Sequence, residues 1–266
     1  MNQVTVKEKL HSIHQSPIDY EVIFSGKKSM RVNGLYNPGT REIIIHNKNF
    51  MSGSGEQNDN LLMYTALHEL AHHVMIMEKG KKNSKAHSHE FWATFHNLLD
   101  SAEEKGVYRA DIDNNTKKLI ENVCGITRKI AELQRELGQV ILAIHKSCEE
   151  NGLRADDVIE REAQVSKQSS AAAVAAYNLG DQGLNADIQM EAARQRSEDK
   201  REAIIAAGRD GKSVAQVKES GSPKKSSAGN EEKANLTKEK QRIEKTIKSL
   251  AHRLDEIKTL LGEPHR

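Results

Sequence analysis

The residues best able to do chemistry fall in one short window. Between His68 and Trp92 the chain carries five of its 12 histidines. The first of them form His68-Glu69-Leu70-Ala71-His72, an H-E-x-x-H arrangement inside an apolar, helix-like run. Four residues make about one helical turn, so the two imidazoles project from one face and can grip a single zinc ion. Glu69 lies beside them and can reach a water on that ion. Zinc lowers the pKa of such a water towards neutrality, and a carboxylate can then take its proton. The hydroxide so formed attacks a carbonyl carbon, and Glu69 can pass the proton to a leaving amine. This chemistry needs a third protein ligand and keeps a fourth position for water.

The third ligand has to come from a second element that folds back on the first. His87 and His89 are the nearby candidates, and the lysine-rich insert from Gly80 to Lys85 gives the chain room to reverse. His73 points about 100° away from His72 on the helix, which places it at the surface or behind a ligand. Glu90 either orients a ligand or caps the helix that follows. Phe91 and Trp92 are expected in the core under the site. Tyr108 and Arg109 read as a surface pair, with a place at the cleft as the alternative. No residue presents itself as the stabiliser of an oxyanion.

The elements that must position these groups are legible upstream. Val4–His14 reads as a short amphipathic helix, and Tyr20–Phe24 (YEVIF) carries β-formers. Met30–Tyr36 and Glu42–His46 read as two strands joined by Asn37-Pro38-Gly39-Thr40. Proline presets φ and glycine accepts positive φ, so this stretch predicts a β-hairpin. Ser52–Asn60 is a polar loop. Leu61 opens the helix that carries the motif, which should end near Gly80, and His89–Ser101 reads as another helix. Residues 1–112 hold all four phenylalanines, the single tryptophan and four of the five tyrosines, so a true core belongs there.

Beyond residue 113 the pattern changes. Val123, Ile126, Ile130, Leu133, Leu137, Val140 and Ile144 recur at alternating spacings of 3 and 4, which is a heptad seam. An amphipathic helix packed on a globular neighbour would show the same pattern. A second seam runs through Leu236, Ile243, Ile247, Leu250, Leu254, Ile257 and Leu261, with Lys240 as its one break. The two seams can pair as an antiparallel hairpin or each find another chain. The division expected is therefore 1–112, a heptad helix over 113–150, a helical region over 151–220, a flexible linker over 221–235 and a coiled-coil helix over 236–262.

Within the helical region, residues 155–177 can be read as helix, turn, helix. Ser166, Lys167, Gln168 and Ser169 would then open a recognition helix, and such residue types touch phosphates and base edges. A helical packing module is the alternative. Gly208–Ser213 ends like a phosphate-binding loop, but Ala206 stands where that loop needs glycine, so it reads as a turn between helices. The stretch from Pro223 to Lys248, with eight basic and four acidic residues, could touch nucleic acid or simply be solvated.

The window from His68 to Phe91 resembles the SprT-like (Spartan-type) zinc metallopeptidases. In both, H-E-x-x-H is followed, after a spacer of similar length, by a histidine, a small residue and a phenylalanine three places on; here these are His87, Ser88 and Phe91. The hairpin GLYNPGTREIIIH resembles the short sheet those proteases place before the active-site helix. The resemblance covers roughly residues 1–105. It implies one zinc ion held by His68, His72 and His87, with Glu69 as general base; from the residues alone His89 stays the chief rival to His87. The family pattern has glycine where this chain has Ser88, which serine can replace if φ there is negative.

The fold class expected is α+β: a zincin-like domain with a small antiparallel sheet and the H-E-x-x-H helix, then an all-α, partly coiled-coil half. The function expected is zinc-dependent hydrolysis of peptide bonds in a protein or peptide substrate, with DNA-associated proteins suggested by family analogy alone. The alternatives are a DNA-associated regulator that uses a metallopeptidase-like domain as sensor or scaffold, and a zinc hydrolase of a small amide. A homodimer through the coiled coil and contact with DNA are the partners considered. The net charge of +2 adds nothing to either. Cys124 and Cys148 fit no metal or disulfide spacing, the N-terminus shows no secretory signal, and no 18 apolar residues run together. The reading is a cytoplasmic protein without membrane contact, with nucleoid or nuclear association open.

Overall fold

Glu42–Ile45 (β3) is the central strand of a three-stranded sheet of order β1-β3-β2. Its run of three isoleucines suits that place, since Ile43 and Ile45 are fully buried. The computed structural model describes residues 1–81 and 87–221, all within one compact unit, Met1–Ser222. The linker and second heptad seam expected at 221–235 and 236–262 lie almost entirely outside the described residues.

The hairpin predicted around NPGT is present. Gly34–Asn37 (β2) pairs antiparallel with β3, in the register Gly34↔Ile45 to Asn37↔Glu42. The sheet as a whole is mixed, not antiparallel as the sequence suggested, because Glu21–Phe24 (β1) pairs parallel with β3. Periodicity marks a strand but carries no information on which side of a hairpin an earlier strand will join. The strand expected from Met30 is also shorter. Met30 is 94% exposed, and residues 29–33 form a loop pinned by Asn49, whose side chain meets Ser29 and Asn33 at 2.9 Å.

Helix α1 (Gln3–Ile13) starts at Asn2, which accepts from the Thr5 N–H at 2.9 Å, and it buries Val6, Leu10 and Ile13 on one face. Helix α2 (Asp59–His73) starts at Asn58, which accepts from the Leu61 N–H. It is buried almost all round, as a helix crossing the middle of a domain must be. A π-helical turn, Val74–Glu78, continues it, and Gly80 at φ +63° turns the chain away. Helix α3 (His89–Glu104) packs against α2 and buries Phe91, Phe95, Leu98 and Ala102 at helical spacing.

The remaining helices are α4 (Asn114–Glu150), α5 (Ala155–Glu162), α6 (Lys167–Leu179), α7 (Ala186–Ala193), α8 (Glu198–Arg209) and α9 (Val214–Ser220). The face of α4 that packs inward carries Ala131, Gly138, Ile141 and Cys148. Helix α6 crosses it so closely that a Cβ on Gly138 would stand 2.1 Å from the Ala173 carbonyl oxygen. The heptad seam lies on another side of α4 and is exposed from Val123 to Val140. Helices α7, α8 and α9 share a small core of Leu184, Ile188, Ala192, Ile204 and Val217. Helix α9 then returns to α3. Gln216 donates to Asn97 and Asp100, both at 2.8 Å, Lys212 pairs with Asp100 at 2.7 Å, and Ser213 meets His96 at 2.7 Å. The stretch Gly208–Ser213 is thus the end of α8 and a turn, with Ser213 capping α9. Among the described residues no helix is long and apolar enough to cross a membrane.

Candidate metal centre

Each ligand candidate is positioned by a local sequence feature. His68 and His72 sit one turn apart on α2, with ring centroids 5.1 Å apart. His87 precedes Ser88, the N-cap of α3, whose side chain accepts from the Phe91 N–H at 3.3 Å. The cap fixes where the helix begins and hence where His87 leaves it. Ser88 has φ −67°, so serine is accommodated there without strain. The His87 ring lies 4.9 Å from that of His68 and 5.2 Å from that of His72.

The three histidines offer ring nitrogens that all lie within 4.8 Å of one another, a group that could hold a metal ion. Nε2 of His72 and Nε2 of His87 are 3.4 Å apart. Two nitrogens each about 2.05 Å from a tetrahedral ion stand about 3.3 Å apart, so this pair already has the required spacing. Burial pushes the His68 imidazole down to about 4, with His87 adding to the effect, so its ring is neutral and its lone pair available at pH 7. Phe91 is buried beneath all three rings, at 5.0, 4.5 and 4.6 Å from His68, His72 and His87. Trp92 is half-buried beside His87.

His89 is not in this group. It clusters instead with Glu90 and Glu219. In that cluster Glu90 meets Lys81 at 2.6 Å, and Glu219 faces Lys79 at 4.0 Å, so two ammonium groups already balance the carboxylates.

Glu69 is 6% exposed, held between α2 and β2. Burial raises its carboxyl to about 7, against the pull of the Tyr36 backbone N–H, which donates to it. Gly34 makes this contact fit. A Cβ there would stand 3.2 Å from Glu69 Cγ and 3.0 Å from Thr65 Cγ2. Neither Tyr36 nor Gly34 stood out as a site residue in the sequence. A glycine inside a strand pattern was the available signal, since it often marks a close approach of another element.

His73 is fully buried, not at the surface. Nδ1 meets the Tyr36 hydroxyl at 2.9 Å, and Nε2 meets the Ile18 carbonyl and the Ser16 hydroxyl, both at 3.0 Å. Tyr64, one turn before His68, was also missed. Its ring packs on Phe95 and faces Tyr108. Arg109 exchanges backbone hydrogen bonds with the Asn60 side chain.

The residues expected at the start of a recognition helix are exposed at the start of α6. Ser166 is its N-cap and accepts from the Ser169 N–H, its hydroxyl reaches that of Ser169, and Lys167 faces Asp157 at 3.7 Å. Gln168 is exposed in the first turn. Both α5 and α6 pack on α4. Comparison of the chain with models of protein families, with curated proteins and with solved structures finds no match.

Proposed function

We propose that the protein is a zinc-dependent peptidase, with a zincin-like domain of the SprT-like kind and a helical C-terminal half. The observation that carries this reading is the convergence of His68, His72 and His87, with Glu69 buried one residue from the first of them. Zinc in that place would supply Lewis acidity that brings water within reach of deprotonation near neutral pH. Glu69, aimed by the Tyr36 N–H, takes the proton and returns it to the departing amine. His68 stays neutral by burial, and Phe91 keeps the three imidazoles from spreading. A purely structural metal site would have no use for a buried carboxylate beside it. Strand β2 is at the edge of the sheet, and an extended peptide is the substrate shape that a strand edge can hold. DNA-associated proteins enter as substrates through the SprT-like resemblance.

Metal analysis of the purified full chain should find about one zinc per molecule, the ligand set expected of a catalytic site. Glu69→Gln should keep that metal and lose cleavage of an unfolded protein substrate by about 100-fold or more. A Glu69→Gln chain that cleaves as fast as the parent would show the enzymatic reading to be wrong.

A further inference from the structure

We propose that the outer face of α4 is a two-fold interface between two copies of this chain, packed antiparallel. Helix α4 runs for 37 residues, and only one of its sides is used by its own body, through Ala131, Gly138, Ile141 and Cys148. The heptad seam is left outside. Val123 and Ile126 are each 58% exposed, Ile130 42%, Leu133 62% and Val140 56%. With Leu119 and Leu137 this makes an apolar stripe about 32 Å long, from Leu119 to Val140, that no described residue covers. A stripe of that length at heptad spacing is the seam of a two-stranded coil.

The order of residues along the stripe selects the occupant. When α4 is laid antiparallel on a second α4, Ile130 faces Leu133, Ile126 faces Leu137 and Val123 faces Val140. Every layer is filled by two aliphatic side chains, and the arrangement closes on itself as an isologous contact. The flanking charges agree. Lys129 and Glu136 are exposed and border the seam on the flank opposite Gln134 and Ile141, where Glu136 also lines an open groove with Tyr177. In the antiparallel pairing Lys129 of each copy faces Glu136 of the other, twice over. In a parallel pairing Lys129 would face Gln134 and Glu136 would face Ile141, which is already buried in its own protomer. The opposite flank, with Gln134 and Ile141, is thus closed by the protein's own helices, and the charged flank is the open one.

Sedimentation equilibrium of the full chain tests the proposal. The parent should be a dimer at micromolar concentration. Leu133→Glu places two charges in the central layers and should raise the dissociation constant by roughly 100-fold. Leu133 is exposed in the protomer, so circular dichroism should show the helix content unchanged. Lys129→Glu or Glu136→Lys alone sets like charges together at two sites and should weaken the dimer by about ten-fold. The double exchange K129E/E136K should restore it. A parent that is monomeric throughout, as it would be if the second seam of the same chain lay on α4, overturns the proposal. So does a dimer indifferent to Leu133→Glu, or one that the double exchange does not rescue.

Discussion

The hydroxyl of Tyr36 stands 2.9 Å from Nδ1 of His73, and this contact ties the edge strand to the end of α2, the helix that carries His68 and His72. The Ile18 carbonyl can only accept, so Nε2 of His73 carries the proton and Nδ1 accepts from Tyr36. The same tyrosine gives its backbone N–H to Glu69. One residue of β2 therefore fixes both the carboxylate and the histidine four positions further along α2. Replacing Tyr36 by phenylalanine leaves Nδ1 in the interior without its donor. The loss of stability should be about 1–2 kcal/mol in urea denaturation, with metal content unchanged. An equally stable Y36F chain would show that the hydroxyl contributes nothing.

Zinc binding should appear as stability. With free zinc at about 100 times its dissociation constant, the folded state gains about 2.7 kcal/mol. Thermal unfolding with and without a chelator reads this directly. His68→Ala, His72→Ala and His87→Ala should each abolish the shift. His89→Ala should preserve it, because His89 belongs to the group with Glu90 and Glu219.

Gly34 is where β2 and α2 come closest to the carboxylate. Alanine would place a methyl 3.2 Å from the Ile44 carbonyl as well as against Thr65 and Glu69. The helix must yield by a few tenths of an ångström, costing about 1–2 kcal/mol. If Glu69 is the base, peptide hydrolysis should fall about ten-fold, since small displacements of a reacting group are costly. Valine should be worse on both measures. Unchanged hydrolysis in Gly34→Val would separate the position of Glu69 from the chemistry.

Gly138 lets α6 lie on α4. A Cβ there would meet backbone of Ala173 at 2.1 and 2.6 Å, and backbone cannot move aside as a flexible side chain can. Gly138→Ala should destabilise the protein by roughly 3 kcal/mol in denaturant unfolding. Metal binding to the isolated native fraction should be intact, because α4 touches none of the three histidines.

The junction between α3 and α9 should loosen in acid. Burial lowers the His96 imidazole below 6.5, against the opposing charge of Asp100. Its folded pKa is thus below the unfolded one, so its contribution is complete above about pH 6.5 and declines as the pH falls below that. Asp100 is also held below its ordinary value: burial works to raise it, but Lys212 and Gln216 outweigh burial. That contribution is present above about pH 4 and disappears as the pH falls through the lowered value. The two losses add in the same direction. Urea midpoints of the parent should fall between pH 7.5 and 5.5, and His96→Gln should remove part of that fall. A variant with the parent's full pH dependence would exclude His96 as a source.

Local rules reach some of these features and stop short of others. The hairpin follows from Asn37-Pro38-Gly39-Thr40 between two β-rich runs, because turn chemistry acts over four residues. The cap at Ser88 and the pairing of His68 with His72 are likewise matters of one helical turn. The choice between His87 and His89 is not, since both follow the same insert and only the course of α3 separates them. The parallel joining of β1 to β3 and the return of α9 to α3 join parts of the chain distant in sequence, and no spacing rule encodes them.

Sequence alone determined which side chains share a helical face, where helices and the turn begin, and that α4 carries a continuous apolar stripe. Tertiary structure decided which stripe of α4 faces inward. Gly138 admits the backbone of α6 and Ala131 lies under Gln189 of α7, while the larger aliphatic residues of the heptad seam remain outside. Tertiary structure also decided that Tyr36 and Gly34 belong to Glu69, because a hydrogen bond across 33 residues and a gap narrower than a methyl group exist only once α2 lies on the sheet.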